Sequence, residues 1–165
     1  LRGIISFFDM PMSNVKHGNI NQQNIPIFNN TSLNFAPLIC FDIAFSNTVR
    51  KSNISSYFMI NISNDTWFGN SIGPYHHLDI TRIRAIENNR WIVRSTNDGF
   101  SAIITNKGTI VDKLGKGVTG VINNGINIEK DRSIYNIFGY FIPYIFSILI
   151  IVISAIMFKC RKITI

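Results

Sequence analysis

The chain has 165 residues, of which 16 are Lys or Arg and 9 are Asp or Glu, giving a formal net charge of +7. This length is typical of one modest domain, and a hydrophobic content of 46% with 12% aromatic residues excludes a disordered chain. The basic residues are scattered or follow the last apolar segment rather than forming a stripe, so they do not indicate nucleic-acid binding. The sequence begins with Leu1 rather than Met, and we interpret it as a fragment or a processed piece.

The first two thirds of the chain have the pattern of a mixed α/β fold. Residues 35–39 are a short apolar run, which predicts a strand ending at Cys40, and residues 42–51 are predicted to form a helix. A second strand is predicted over residues 56–62, and the polar segment 63–69 is predicted as the loop that follows it.

A second helix is predicted from Gly73-Pro74 to about Arg90, because proline suits the first turn of a helix. After it, Gly- and Asn-containing turns separate three short apolar runs, which predicts a β-meander over residues 91–95, 100–104 and 109–111.

The C-terminal part of the chain is predicted to cross a membrane. Residues 137–158 are almost wholly apolar, and at 1.5 Å per residue they would span about 33 Å, close to the roughly 30 Å of a hydrocarbon core. Lys159, Arg161 and Lys162 follow at once, whereas the charges before the span balance one another, so the tail is predicted to be cytoplasmic.

These observations divide the sequence into four predicted segments. They are a soluble domain on the outer side of the membrane, a linker, a transmembrane helix and a cytoplasmic tail, over residues 1–128, 129–136, 137–158 and 159–165 respectively.

The two cysteines, Cys40 and Cys160, are predicted to lie on opposite sides of the membrane, so a disulfide between them is implausible. Cys40 is the candidate nucleophile. At the end of a strand, where the chain turns into a helix, free backbone N–H groups and the helix dipole stabilise a thiolate and can receive an oxyanion. The alternative is a buried cysteine that acts only as a small apolar side chain.

His76 and His77 do not predict a metal site. Neighbouring residues of a helix point in different directions, and the sequence offers no evident third ligand. We interpret both as surface or substrate-cleft histidines, and we predict neither a metal nor a cofactor.

Several motifs, in order along the chain, resemble one enzyme family. The segment Pro37-Leu38-Ile39-Cys40-Phe41-Asp42 resembles the nucleophile segment of the nitrilase superfamily, whose members carry Cys-Tyr-Asp or Cys-Tyr-Glu there. Further segments resemble the bacterial apolipoprotein N-acyltransferase family, as does a membrane helix directly after the domain. These segments are FFDMPMS at residues 7–13, ISNDTWFG at 62–69, SIGP at 71–74, RIRAIE at 82–87 and RSTNDG at 94–99.

The resemblance implies a nitrilase-like α-β-β-α sandwich, here partial, followed by one C-terminal transmembrane helix, with a Glu-Lys-Cys catalytic set. The family's cysteine takes an acyl chain from a phospholipid as a thioester. It then passes the chain to the α-amino group of the lipidated N-terminal cysteine of an apolipoprotein, in the bacterial inner membrane with the catalytic domain periplasmic. Carried over, Cys40 would be the nucleophile and the Phe41 N–H part of the oxyanion hole. Substrate binding or site support would come from Asp42, Asn64, Asp65, Trp67 and Phe68.

The sequence also departs from the family. The family's general-base Glu and its Lys lie upstream of the segment at which this sequence begins, and Glu87, Glu129 and Lys16 do not match those motifs. We therefore expect residues 1–165 alone to have little or no acyltransferase activity. Phe41 replaces the usual Tyr, and Asp42 is one methylene shorter than the family's Glu. Two alternatives remain open: an inactive membrane-anchored remnant of a split or decaying gene, and a nitrilase-type amidase.

Overall fold

A six-stranded mixed sheet organises the part of the chain that the structure, a computed structural model, describes: residues 23–27 and 31–163. The strands lie in the sheet in sequence order: β1 (Gln23–Ile27), β2 (Thr31–Ile39), β3 (Phe58–Asn64), β4 (Trp91–Asn97), β5 (Ser101–Ile104) and β6 (Ile110–Leu114). β2, β3 and β4 are parallel to one another, and the other neighbours are antiparallel. The predicted mixed α/β fold is confirmed. The motif at residues 7–13 lies outside the described residues.

Two helices make the crossovers between the parallel strands. α1 (Ser46–Ser52) connects β2 to β3, and α2 (Gly73–Asn88) connects β3 to β4. Parallel neighbours require such crossovers because the chain must return to the same end of the sheet. Pro74 lies in the first turn of α2 as predicted, and Asn89 ends the helix in a left-handed conformation.

The segment after β2 differs from the single helix predicted over residues 42–51. A 3₁₀ turn, Cys40–Ala44, comes first, and α1 begins only at Ser46. Between them Phe45 is extended, with φ −91° and ψ 91°, and its N–H donates to the Asp42 carbonyl oxygen over 3.1 Å. The turn is therefore closed by its own local hydrogen bond, and the chain changes direction before α1.

The two faces of the sheet carry separate apolar clusters, because successive side chains of a strand point to opposite faces. The face under α1 and α2 carries the main core, formed by Ala36, Leu38, Ile43, Val49, Met59, Leu78, Ala85, Ile92, Phe100, Ala102 and Ile104. The opposite face carries Phe58, Trp91 and Ile103, against which Ile122 and Ile126 pack. The described residues thus form one helix layer and one sheet layer, half of the sandwich that the resemblance implies.

Two helices follow the sheet, α3 (Ile134–Phe138) and α4 (Phe141–Ile163), with Gly139 at φ +60° between them. Residues Phe141–Phe158 of α4 are long and apolar enough to cross a membrane by length and composition, with a mean hydropathy of 2.6 and no part of this stretch buried. The continuous apolar helix therefore starts four residues after the predicted start of the span at Ile137.

A buried asparagine fastens the chain just before α4 to the two crossover helices. The side-chain N–H groups of Asn136 donate to the side-chain oxygen of Asn88 over 2.7 Å and to the Arg50 carbonyl oxygen over 3.3 Å. Its side-chain oxygen accepts from Arg132 Nε over 2.6 Å. We call these four residues the Asn136 clasp. The clasp lies partly within the predicted linker, residues 129–136, and fixes where α4 starts relative to α1 and α2.

Replacing Asn136 by alanine should loosen the clasp, because the buried side-chain oxygen of Asn88 loses its donor, at a cost of about 1–3 kcal/mol for an unsatisfied group. We expect faster tryptic cleavage after Lys130 and Arg132 in the purified native-length protein, measured by mass spectrometry of the products. Asn123→Ala, in the exposed loop, is the matched control and should be cleaved at the wild-type rate. Identical cleavage of the two variants would contradict the clasp.

Candidate active site

Cys40 lies where β2 ends and the 3₁₀ turn begins. Its side chain is buried, with 7% of the residue exposed, and its φ of +50° is unusual for a residue other than glycine. Backbone conformations of this kind cluster at functional sites, where the surrounding structure holds them in place. The carboxyl ends of the parallel strands β2 and β3 meet here, since Ile39 pairs with Ile62. The thiol therefore sits at the sheet edge that receives the ends of both strands.

Phe41 contributes an exposed ring and a backbone donor next to the thiol. The residue is 46% exposed, and its ring centroid lies 6.0 Å from that of Phe45 and 5.9 Å from that of His77. Backbone N–H groups in the first turn of a helix have no acceptor within the helix. As the second residue of the 3₁₀ turn, Phe41 has its N–H in that position.

Asp42 holds the backbone of the turn that presents Cys40. Its Oδ2 atom accepts a hydrogen bond from the Ile39 N–H over 3.1 Å. Because this bond joins the turn to the last residue of β2, it fixes the direction in which the chain leaves the strand. The carboxylate thus shapes the turn that carries the thiol.

The loop after β3 is tied to the end of β4 by Asn64. Its side-chain oxygen accepts from the Thr66 N–H over 3.2 Å, from the Thr66 hydroxyl over 2.7 Å and from Asn97 Nδ2 over 3.2 Å. These bonds hold a short 3₁₀ turn, Thr66–Phe68, in which Trp67 is 46% exposed and Phe68 is half-buried. The loop thereby presents two aromatic side chains beside the strand ends.

Phe68 packs closely against the start of α2 and against the His77 ring, with 5.9 Å between the ring centroids. A Cβ atom added to Gly73 would lie 2.4 Å from a carbon of the Phe68 ring, so any larger residue at this position would displace that ring. Glycine is thus required here by the close approach of the aromatic side chain.

Asp65 is fully buried and is linked to the thiol through a serine. Its Oδ1 atom accepts from Ser63 Oγ over 2.7 Å and from His77 Nδ1 over 2.8 Å, and its Oδ2 atom accepts from Arg94 Nη2 over 2.9 Å. Ser63 Oγ lies 3.6 Å from Cys40 Sγ. We call Ser63, Asp65, His77 and Arg94 the Asp65 cluster.

Arg94, on β4, connects the cluster to the backbone that carries the thiol. Its Nη1 atom donates to the side-chain oxygen of Asn61 and, over 3.3 Å, to the Thr81 hydroxyl. Asn61 Nδ2 in turn lies 3.1 Å from the Leu38 carbonyl oxygen and 3.4 Å from that of Cys40. One guanidinium thus ties together β2, β3, β4 and α2.

The Asp65 carboxyl remains ionised although it is buried. Burial acts to raise the pKa of Asp65, but the hydrogen bonds from His77 and Ser63 and the positive charge of Arg94 hold that pKa below its ordinary value. Burial likewise lowers the pKa of Arg94, and the Asp65 charge opposes this change. The two groups form a buried ion pair with both side chains fully shielded from solvent. Arg94 also interacts electrostatically with Cys40.

This end of the sheet and the turns next to it carry a group of large apolar side chains. They are exposed to solvent although they are large, and they come from β2, β3, the turns after these strands and the start of α2. They are Ile39, Phe41, Phe45, Ile62, Trp67 and Ile72. We call them the apolar rim. The site therefore has a polar cluster in contact with the thiol and exposed apolar side chains on the neighbouring segments.

The sequence motifs placed Asp65 in the site but did not identify its three hydrogen-bond partners, Ser63, His77 and Arg94. His77, interpreted from the sequence as a surface or cleft residue, is only 1% exposed, whereas His76 is exposed. The helical spacing of His77 to Thr81 and Ala85, both buried, would have placed His77 on the inner face of α2. Arg94 stands at an inward position of β4, where a charged side chain requires a partner.

Within the described residues no group of three or more His, Cys, Asp or Glu side chains is placed to hold a metal ion.

Comparisons with known proteins identify the family of the chain. The family model of the carbon-nitrogen hydrolases matches residues 8–134. The chain is similar to the apolipoprotein N-acyltransferase of Photobacterium profundum, with 33% identity over 163 residues, which are 98% of this chain and 31% of that protein. It is also similar to the apolipoprotein N-acyltransferase of Azotobacter vinelandii, with 40% identity over 114 residues, 69% of this chain and 22% of that protein.

Among solved structures, Saccharomyces cerevisiae Nit3, a member of the nitrilase superfamily, superposes with a TM-score of 0.51 at 19% identity, over 67% of this chain and 42% of that chain. This likeness supports the nitrilase-like fold class predicted from the sequence. The chain belongs to the carbon-nitrogen hydrolase family. It spans less than a third of the length of the two N-acyltransferases named above.

Replacing Asp65 by asparagine should destabilise the fold by about 3–5 kcal/mol, because the Arg94 charge would stay buried without a carboxylate. We expect this loss to appear in the free energy of unfolding, measured on the native-length protein in detergent. The exposed Asp112→Asn is the control and should change little.

The ionised Asp65, with its lowered pKa, stabilises the fold above about pH 4, and this contribution is lost as the pH falls through the folded-state pKa. The wild type should therefore lose more stability in acid than Asp65→Asn, and parallel pH profiles would contradict the ion pair.

Proposed function

We propose that this chain carries the nucleophile of a lipoprotein N-acyltransferase. In this proposal Cys40 takes an acyl chain from a phospholipid and passes it to the N-terminal amine of the diacylglyceryl-cysteine of an apolipoprotein. The observation that carries the proposal is the Cys40 thiol, held at the joint end of β2 and β3 in front of a buried polar cluster. The names of the similar proteins supply N-acyl transfer and the apolipoprotein acceptor, and the resemblance supplies the phospholipid donor.

The first half-reaction forms a thioester. The Cys40 thiolate attacks the carbonyl carbon of the phospholipid ester, a C–S bond forms, and the carbonyl electron pair moves onto oxygen, where the Phe41 N–H donates to it. The intermediate then collapses, the ester C–O bond breaks, and the lysophospholipid leaves as an alcohol after taking up a proton. The general-base Glu that the resemblance implies would accept the thiol proton and return it to this leaving group.

The second half-reaction forms an amide. The amine nitrogen of the apolipoprotein attacks the thioester carbonyl, an N–C bond forms, and the C–S bond breaks to release the thiolate. The proton that the nitrogen loses would pass to the general-base Glu that the resemblance implies. Because a thiolate is both a good nucleophile and a good leaving group, one difficult acyl transfer becomes two easier steps. The two substrates therefore use the same sulfur in turn.

The remaining site residues support this chemistry in the proposal. Asp42 shapes the turn, Asn64 and Asp65 fix the loop after β3, and Trp67 and Phe68 belong to the surface that binds the acyl chain. The apolar rim suits a lipid tail, because burying apolar surface is favourable at about 25 cal/mol per Å².

The residue before α4 contacts the start of α1, in the segment that follows the Cys40 turn, which favours a reaction at the membrane surface. The Tyr140 hydroxyl contacts the Ser46 hydroxyl, and α4 begins at the next residue, Phe141. Ser46 follows Phe45, whose ring packs against that of Phe41, beside Cys40. Holding the thiol near the bilayer brings it close to both lipid substrates, which is a proximity effect.

The proposal includes a location in the bacterial inner membrane, with residues 1–128 periplasmic, 137–158 spanning the membrane and 159–165 cytoplasmic. No cofactor takes part in the proposed reaction. The expectation that residues 1–165 alone are inactive stays a prediction.

Cys40→Ala in the native-length protein should abolish acyl transfer, because no thioester can form. The measurement follows conversion of diacylated to triacylated lipoprotein in cells depleted of their own N-acyltransferase. Cys160→Ser is the matched control and should keep near-wild-type activity. Mass spectrometry after incubation with phospholipid should find the acyl chain on the peptide that contains Cys40.

Full transfer by Cys40→Ala would overturn the nucleophile assignment. A wild-type protein that neither carries an acyl chain nor transfers one would favour the inactive remnant. Hydrolysis of small amides without any transfer from phospholipid would favour the nitrilase-type amidase.

The orientation can be tested by cysteine labelling, with the native cysteines replaced by serine. Lys107→Cys, in the exposed turn between β5 and β6, should react with a membrane-impermeant maleimide before the inner membrane is permeabilised. Thr164→Cys, in the tail, should react only afterwards, because positive residues flank the cytoplasmic end of a span. The reverse labelling pattern would contradict the proposed orientation.

A further inference from the structure

The Ser63 hydroxyl lies between two groups that compete for its proton. Ser63 is 6% exposed near the end of β3, and its Oγ atom lies 2.7 Å from Asp65 Oδ1 and 3.6 Å from Cys40 Sγ. A serine hydroxyl has one proton to donate and lone pairs that accept. It can therefore donate to the carboxylate or to the sulfur, but to only one of them at a time.

We propose that Ser63 is a further catalytic residue, whose O–H donates to Asp65 while Cys40 is a thiol and turns to the sulfur when Cys40 becomes a thiolate. This inference rests on the proposed function only in treating Cys40 as the nucleophile. Beside a neutral thiol, the ionised carboxylate is the stronger acceptor, and the S–H group is a weak donor to Ser63 Oγ. When the sulfur is charged, both acceptors are ionised. The sulfur then gains a charge-assisted hydrogen bond, while the carboxylate keeps its bonds from His77 and Arg94.

The Asp65 carboxylate can release the Ser63 proton because two other donors hold it. His77 Nδ1 at 2.8 Å and Arg94 Nη2 at 2.9 Å both remain in place when the hydroxyl turns away. The carboxylate therefore keeps two of these three hydrogen bonds. A buried acceptor that stays bonded avoids the cost of a group left unsatisfied.

The charges around the thiol are arranged so that a second negative charge is tolerated. Arg94, on β4, neutralises Asp65, on the loop after β3, and the guanidinium also interacts electrostatically with Cys40. His77, on α2, faces Asp65, and the Asp42 carboxylate of the cysteine's own turn is engaged by the Ile39 N–H. The group nearest the sulfur that can change its hydrogen bond is the Ser63 hydroxyl.

The same movement would serve both half-reactions. When the thioester C–S bond breaks, the departing sulfur again carries a negative charge, and the Ser63 O–H can donate to it. Ser63 keeps its proton throughout and changes only its acceptor, so it does not replace the general base. Its effect is to stabilise the sulfur anion each time that it forms.

The test measures the reactivity of Cys40 without lipid or apolipoprotein. The native-length protein is alkylated with isotope-coded iodoacetamide over a range of pH, and the Cys40 peptide is quantified by mass spectrometry. We expect Ser63→Ala to react about tenfold more slowly at neutral pH and to reach the wild-type rate about one pH unit higher, because a charge-assisted hydrogen bond is lost. Ser56→Ala is the matched control. Ser56 is buried and bonded to Asn53 over 2.6 Å just before the other end of β3, and this variant should react like the wild type.

Ser63→Thr and Ser63→Val form a second, isosteric pair in which only the hydroxyl differs. Retained reactivity in the threonine variant and slowed reactivity in the valine variant would support the proposal even if Ser63→Ala folds poorly. Equal reaction rates of the two variants at every pH would overturn it. This failure is distinguishable from failure of the proposed function, because acylation of Cys40 by phospholipid would then still be observed.

Discussion

The buried ion pair of Asp65 and Arg94 is the interaction on which the arrangement of the site depends. It joins the loop after β3 to β4, and through Asn61 it reaches the carbonyl groups of Leu38 and Cys40. Two charges removed from water are tolerated only when each is paired and hydrogen-bonded. Neither charge can therefore move alone. The ion pair thus holds the backbone on which Cys40 lies, although Cys40 is not a member of the pair.

The thiol stands at a boundary between two kinds of surroundings. It contacts a hydrogen-bonded cluster shielded from solvent, and the apolar rim lies exposed on the neighbouring segments. A phospholipid acyl ester has the matching character, since its carbonyl group is polar and its chain is apolar. The polar side can stabilise charge that develops on sulfur or oxygen, while the rim provides surface for the chain. In the proposed function, this combination serves a lipid ester.

The sequence predicted correctly those strands and helix starts that depend on residues close to one another in the chain. Short apolar runs bounded by turn residues indicated β3 to β5, and Pro74 marked the start of α2. The break at Phe45 was missed because it depends on a hydrogen bond to the Asp42 carbonyl group rather than on apolar spacing. The strand β1 was not predicted, since Pro26 is unfavourable in a strand interior but acceptable at the edge of a sheet. The Asp65 cluster was only partly found, because its contacts join residues that are 12 and 29 positions apart.

The short connection between α3 and α4 limits how the sheet domain can be placed relative to the apolar helix. Only Gly139 and Tyr140 separate the clasped helix from the apolar one, and the Arg50 side chain lies against Gly139. Because this tether, the connection formed by Gly139 and Tyr140, has only two residues, the sheet domain has little freedom to tilt against α4 or to move away from it. In the proposed orientation, the height of Cys40 over the lipid headgroups would be set by this tether. In that arrangement, Cys40 would reach only those ester bonds that lie at a matching distance from the membrane surface.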